Sequence, residues 1–385
     1  MTDNQLRDEV RAWLADNWNP EERAGFLAKV VEARWAAPRW PVEWFGRGLD
    51  DTQARIIERE FAAVGAPGTA QDRTNLWANT VLAKGTEALK HQLVGRLLRN
   101  EVGMCLLYSE PGAGSDLAGI RTRADRSGDG WVVNGQKVWT SSAATADYGM
   151  LIARTDWDVP KHRGISFFFL PMKQPGVEVR PLRQITNEAH FNEVFITDAA
   201  VPPDNLLGRE GEGWSVLQTA LAYERSVMGE AARGPRSGAK EAGGAAPMVA
   251  LAREAGVLAD PLIRQDLARV TALRQLNALN TARAKADLGQ GTSSSLMSLG
   301  KLAMSRILHE EARLRTAMLG AGSLLEGPDH PRAEDANFLS LNAYFTSIGG
   351  GTDQIQRNII GERVLGLPKE PEVDRDVAFR EVRGG

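Results

Sequence analysis

Two stretches of helical texture enclose one stretch of strand texture, and that order limits the fold more than any single motif. From residue 4 to about 104 apolar residues recur at helical spacing. Between about 108 and 200 the chain breaks into short β-type runs: WVVNGQKVWTSS, YGMLIARTD, GISFFFLPM, GVEVRPL and NEVFITDAAVP. After VPPDNLLGREGEGW, alanine- and leucine-rich helical segments resume to about 366. Segregation of this kind predicts an α+β fold with domains over 1–105, 106–208 and 209–385, rather than alternating βα units. A chain of 385 residues has volume for more than one core.

Local signals refine this outline. Asn134-Gly135, between VV and QKVW, predicts a hairpin turn, because both positions tolerate positive φ. PRWPVEWFGRGL, residues 38–49, predicts an irregular packed loop, and GEAARGPRSGAKEAGGAAP, residues 229–247, a connection between helices. No GxGxxG follows a strand-like run and no GxxxxGK[ST] occurs, so the Rossmann and P-loop fingerprints are both missing.

Composition removes several function classes. A net charge of -3 offers no basic footprint for nucleic acid or anionic lipid. Cys105 is the only cysteine and reads as a small buried hydrophobe; the five histidines lack metal-ligand spacing, so no metal site is expected. MTDNQLRDEV has no basic-then-apolar leader pattern, and no run nears the roughly 18 apolar residues of a membrane span. A cytoplasmic protein without a membrane partner is expected.

Four stretches could carry chemistry. In SEPGAGSD, residues 109–116, two glycines let backbone N–H groups converge beside Ser109 and Ser115, which suits phosphate oxygens as well as a simple turn. In KVWTSSA, residues 137–143, an indole precedes hydroxyls, a pattern for either a flat heteroaromatic ring or ordinary core. In GEGWSVLQTALAYERSVMG, residues 211–229, Trp214, Leu217, Leu221 and Met228 form a helical stripe that Glu224 completes. Burial there would disfavour the charged carboxylate and raise its pKa, as a base taking a weakly acidic proton requires; a structural buried glutamate is the alternative. Last, in SIGGGTDQIQR, residues 347–357, Thr352 has N-cap chemistry and follows glycines, so a ligand oxygen could sit at the helix start.

Taken in order, SEPGAGSD, WVVNGQKVWTS, FNEVFITDAAVPPDNLLG, GEGW…YER and GGTDQIQRNIIGERVLGLP make the chain resemble the acyl-CoA dehydrogenase family along nearly its whole length, bacterial members above all. The resemblance implies a helical N-terminal domain, a central β-barrel or sheet domain and a C-terminal four-helix bundle, with FAD bound non-covalently between domains and subunits. It implies that a base removes the pro-R α-proton of an acyl-CoA thioester while the β-hydrogen leaves as hydride to flavin N5, giving the trans-2-enoyl-CoA. An electron-transfer flavoprotein then takes the electrons, in fatty-acid or sterol side-chain β-oxidation. By motif position, Leu106, Tyr108, Ser109, Gly114 and Ser115 would serve the flavin and its pyrophosphate, Trp139 and Ser141 would flank the isoalloxazine, and Thr352 and Gln354 would contact the dinucleotide. Ser115, Arg225, Gly350 and Gly351 would meet substrate.

Many relatives place the catalytic glutamate where this chain has Gly350; a second branch places it before the arginine of the helix after GEGW, which is Glu224 here. The usual Arg-x-x-Phe-Gly loop is replaced by LAREAGVLADPLIRQ, with Arg253 as a substitute, and the arginine before Gly-Thr by LNAYFTSIGGG. A homo-oligomer (dimer or tetramer) and an α2β2 hetero-oligomer containing a non-catalytic or half-site subunit are both compatible with these departures. A flavin monooxygenase or nitroalkane-oxidase-like enzyme is a further alternative on the same scaffold. The small residues at 349–351 leave space suited to a bulky or branched acyl group such as a sterol side chain.

Overall fold

The computed structural model describes residues 2–231, 245–289 and 296–382. The chain forms two compact units, one of residues 1–183, 189–228 and 373–385, the other of 184–188 and 229–372. The first opens with helices α1 (Asp3–Asn17), α2 (Phe26–Glu32), α3 (Asp51–Ala63), α4 (Gln71–Thr74), α5 (Leu76–Lys84) and α6 (Glu87–Leu98). Thr2, Asp50, Asn75 and Thr86 each accept a backbone N–H from the turn they precede, which stabilises each start by about 1 kcal/mol. The 38–49 loop packs as its composition suggests: Trp40 is buried, and a Cβ at Gly46 would stand 1.9 Å from the Trp40 carbonyl oxygen.

Strands β1 (Met104–Leu107), β2 (Arg123–Ser127), β3 (Gly130–Ser141), β4 (Tyr148–Arg154), β5 (Ile165–Pro171), β6 (Val177–Leu182), β7 (Phe191–Val201) and β8 (Leu206–Leu207) form one mixed sheet in the order β6-β7-β3-β2-β4-β5-β8, with β1 parallel to β4. Asn134-Gly135 is not the hairpin turn. The β2–β3 turn lies at Gly128-Asp129, and β3 runs on through Asn134-Gly135 with a register shift against β7. Glycine is needed at 135 for a close approach, since a Cβ would stand 2.3 Å from the Thr122 hydroxyl oxygen.

Apart from Ser166 and the terminal Arg154, strands β4 and β5 are apolar because both their faces are covered. Leu151, Ala153, Phe168 and Leu170 belong to a core enclosed by the strands. Met150, Ile152, Phe167 and Phe169 belong to another, shared with the N-terminal helices and with Val216, Leu217 and Ala220 of α7 (Gly213–Ala231). Each buried phenylalanine contributes about 1.5–3 kcal/mol of transfer free energy. Helix α7 begins hard against β5: a Cβ on Gly213 would lie 2.5 Å from the Ser166 carbonyl carbon.

In the second unit, α10 (Leu296–Leu319) packs against α8 (Ala245–Glu254), α9 (Pro261–Gly289), α11 (Pro331–Ile348) and α12 (Asp353–Ile359). Its core includes Met248, Leu251, Ile263, Leu267, Val270, Leu314 and Met318. The ion pairs Arg274–Glu311 and Arg313–Asp266 join α9 to α10. Helices, then a sheet, then helices is the α+β order expected. Residues 232–244, most of the connection read between α7 and α8, lie outside the described residues.

Candidate functional site

SEPGAGSD and KVWTSSA, separate in sequence, lie side by side in the first unit. The Val138 N–H donates to the Ser109 carbonyl at 2.9 Å. Beneath this contact Lys137 is wholly buried, with Nζ 2.8 Å from Glu110 Oε1 and 3.0 Å from the Tyr108 carbonyl oxygen. Glu110 also accepts the backbone N–H groups of Arg121 and Thr122 at 2.7 and 2.9 Å. Burial pushes the Lys137 ammonium down to about 8, against the pull of Glu110. Burial by itself would raise Glu110, but Lys137 and the two N–H donors hold it below the usual carboxylate range.

Two residues beyond Lys137 the β3–β7 ladder slips, and Trp139 takes φ 61°. That backbone is strained for a bulky residue, and it turns the indole outward to 57% exposure, propped by the Phe191 ring at 5.9 Å. Asn192 repairs the slipped ladder by donating to the Thr140 carbonyl at 2.9 Å. Trp139 is therefore not core. Ser141 is exposed beside it, and Gly114 and Ser115 are exposed in the neighbouring loop. Nothing lies within 4 Å of where a Cβ on Gly112 or Gly114 would stand, so the loop backbone is open. An uncovered aromatic face next to open N–H and hydroxyl donors fits a flavin and its pyrophosphate.

The end of this loop is clamped from behind. Arg154, fully buried with its guanidinium 3.5 Å from the Phe379 ring centroid, donates to the carbonyls of Ala118, Ile120 and Lys161 at 2.7, 3.2 and 3.1 Å. Burial lowers its pKa to about 10. Lys161 pairs with Asp116 and Asp374 at 3.1 and 3.3 Å. Leu106 is half-buried in β1, and Tyr108 is buried with its hydroxyl 3.7 Å from Met150 Sδ.

Helix α7 buries Gly213, Val216, Leu217 and Ala220, while Trp214 and Leu221 flank that face, half-buried. Position 224 follows Ala220 by one helical turn. The side chains of Glu224, Arg225 and Met228 lie outside the described residues.

In the second unit Gly350 and Gly351 take φ 66° and 89°, the left-handed region that glycine enters freely. Thr352 is the N-cap of α12, its hydroxyl accepting the Ile355 N–H at 3.2 Å. Gln354 is exposed on α12 and Arg253 at the end of α8. Asp353 receives hydrogen bonds from Ser305 and Lys301 at 2.7 and 3.1 Å; against the raising effect of burial, these hold its carboxyl below the usual range.

The structure thus brings together Ser109, Gly114, Ser115, Trp139 and Ser141 in one unit, and Gly350, Gly351, Thr352 and Gln354 at one helix start in the other. Lys137, Glu110, Arg154 and Asp353 were missed by sequence reasoning. A lysine inside the strand VVNGQKVW, calling for a buried carboxylate, was the available signal for the first two. Cys105 is buried, and burial pushes its thiol up to about 12, the behaviour of a packing residue. Among the described residues no helix is long and apolar enough to cross a membrane, and no cluster of three or more His, Cys, Asp and Glu could hold a metal ion.

Comparison with known proteins agrees with this architecture. Sequence profiles of the acyl-CoA dehydrogenase N-terminal, middle and C-terminal domains match residues 1–101, 105–199 and 211–365. The acyl-CoA dehydrogenase IpdE1 of Mycobacterium tuberculosis is 36% identical over 402 residues, covering 95% of this chain and 98% of its own. FadE34 of the same organism is 37% identical over 369 residues, covering 94% of this chain and 49% of its own, so the chain spans about half the length of that relative. The solved Tcur3481-Tcur3483 steroid ACAD superposes with a TM-score of 0.73 at 28% identity, covering 96% of this chain and 98% of that one. The chain belongs to the acyl-CoA dehydrogenase family and is an oxidoreductase.

Proposed function

We propose that this protein removes hydrogen from the α and β carbons of an acyl-CoA thioester to give the trans-2-enoyl-CoA, with Glu224 as the base. The observation that carries the reading is Trp139, held outward at φ 61° beside the open Ser109–Ser115 loop. Ser109, Gly114, Ser115, Trp139 and Ser141 would hold FAD on this side, with the Leu106 and Tyr108 segment behind them. Thr352 would donate its hydroxyl hydrogen, unused by the cap, to the dinucleotide, joined by Gln354 and by Arg253 in place of the missing arginine motif. When bound, FAD supplies the acceptor for the β-hydrogen and for two electrons. Position 224 lies in α7 one helical turn beyond Ala220, and a carboxylate there would take the α-proton once hydrogen bonds have polarised the thioester carbonyl. Arg225, Ser115, Gly350 and Gly351 would border the substrate, and an electron-transfer flavoprotein would reoxidise the flavin.

The left-handed glycines at 350 and 351 carry no side chain into the space beside them, which favours a bulky acyl group, a steroid side chain among them. The relative named a steroid ACAD supports that choice. The paired name of that relative, with the replaced arginine motifs, favours a second reading: a heteromer in which a partner chain completes the flavin site. Anaerobic titration with straight, branched and steroidal acyl-CoA thioesters, for wild type and Glu224→Gln, tests the function. Flavin bleaching should occur in wild type and vanish in the variant with cofactor retained; bleaching in Glu224→Gln overturns the assignment of the base. Flavin spectra and native mass of the chain alone and with a candidate partner test the heteromer.

A further inference from the structure

Lys301, Ser305 and His309 recur at intervals of four along α10, which sets them on one edge of the helix. That edge meets Ser347 near the end of α11 and Asp353 in the first turn of α12. His309 Nε2 lies 2.8 Å from Ser347 Oγ, Ser347 Oγ 2.7 Å from Ser305 Oγ, and Ser305 Oγ 2.7 Å from Asp353 Oδ2. Lys301 Nζ closes the far end, 3.1 Å from Asp353 Oδ1.

Counting hydrogens fixes the direction of this chain. The Asp353 carboxylate accepts only, so the Ser305 hydroxyl must donate to it. Having one hydrogen, Ser305 must then accept from Ser347. Ser347 has none left, so it accepts from His309, and Nε2 of that ring must carry a hydrogen. The other acceptor near Ser347, the Ala343 carbonyl, is farther at 3.5 Å. Choosing it would leave two serine oxygens facing each other at 2.7 Å with no hydrogen between them.

The geometry points to His309, Ser347 and Ser305 as positioning residues: a one-way hydrogen-bond chain that fixes Asp353 and, through it, the 349–352 turn at the start of α12. Two left-handed glycines make that turn soft, so its placement depends on side-chain ties such as this one and the 3.2 Å bond from Gln356 Nε2 to the Gly350 carbonyl. The inference rests on the reading above that Thr352 and Gln354 serve the dinucleotide, since the chain reaches the flavin only through them.

The test uses the full chain with 15N-labelled histidine rings, His309 being assigned by the signal lost in His309→Gln. At about pH 8, above the usual histidine range, wild type should show the Nε2–H form of His309. Ser305→Ala should free Ser347 to turn toward Ala343, mix the His309 tautomers and weaken FAD binding about tenfold. Ser305→Thr keeps a hydroxyl and should restore both. Should Ser305→Ala fail to fold, Ser347→Ala reads out the same two quantities. An Nδ1–H ring in wild type, or altered tautomers with unchanged FAD affinity, overturns the proposal. A tautomer response in a chain that binds no FAD upholds the hydrogen-bond chain and overturns the flavin reading instead.

Discussion

Lys137, wholly buried, faces Glu110 at 2.8 Å, and their dependence on each other is unequal. Without Lys137, the Glu110 carboxylate still accepts two backbone N–H groups; without the Glu110 charge, Lys137 keeps only the Tyr108 carbonyl among these partners. Removing one member of a buried pair costs about 3–5 kcal/mol. Glu110→Gln should therefore lose about that much in urea denaturation, and Lys137→Met less. Equal losses would show that the two N–H donors do not support the carboxylate.

The same pair sets a pH dependence. Folded Lys137 releases its proton near 8, whereas the unfolded chain holds it to about 10.4. Between those values the unfolded state binds more protons, so this group's contribution to stability rises with pH. In Glu110→Gln the proton leaves at a lower pH than in wild type, so the deficit of that variant should narrow as pH rises toward about 8 and change little from there to about pH 10. Denaturation curves across that range check it, and a widening gap would refute it. Glu110, lowered when folded, contributes stability above the ordinary glutamate value, and that part is lost as pH falls through its folded pKa.

Trp139→Gly separates folding from binding. Loss of the Phe191 contact and the added chain entropy are offset by relief of a left-handed backbone, itself worth about 1 kcal/mol. The flavin-free protein should keep its stability within about 1 kcal/mol, where truncating a core tryptophan costs about 3–5 kcal/mol. Flavin affinity, read by fluorescence titration, should fall sharply. A large drop in melting temperature without flavin would mean that the indole is packing rather than binding.

The three glycines should respond unequally to alanine. Gly350→Ala and Gly351→Ala force a side chain into φ 66° and 89° and should each cost about 1 kcal/mol or more. At Gly351 the new Cβ would also meet Gln356 Nε2 at 3.0 Å. Gly349 has φ -66°, and its Cβ would meet the half-exposed Phe345 ring at 3.1 Å, so Gly349→Ala should be the mildest. Thermal denaturation of the three variants gives the ranking.

The fold was legible where one local rule sufficed. GISFFFLPM and YGMLIARTD announced strands, and Thr352 announced a helix start, because strand texture and capping each involve a few neighbouring residues. Asn134-Gly135 misled for the same reason. The dipeptide fits a turn, but strands from elsewhere in the chain pair on either side of it, and Gly135 serves a close approach to Thr122 instead. Lys137 and Glu110 are 27 positions apart, and His309, Ser347 and Asp353 sit on three helices. No window of sequence holds such groups together, and charged residues taken singly read as surface. The helical stripe singled out Glu224, whose side chain lies outside the described residues.

The double coverage of β4 and β5 has a practical consequence for anyone trimming this protein. A fragment cut to residues 105–199 would strip away the helices and leave Met150, Ile152, Phe167 and Phe169 as an oily strip facing water. Such a piece should clump rather than fold alone. What sequence profiles treat as a middle module is, mechanically, inseparable from what precedes it.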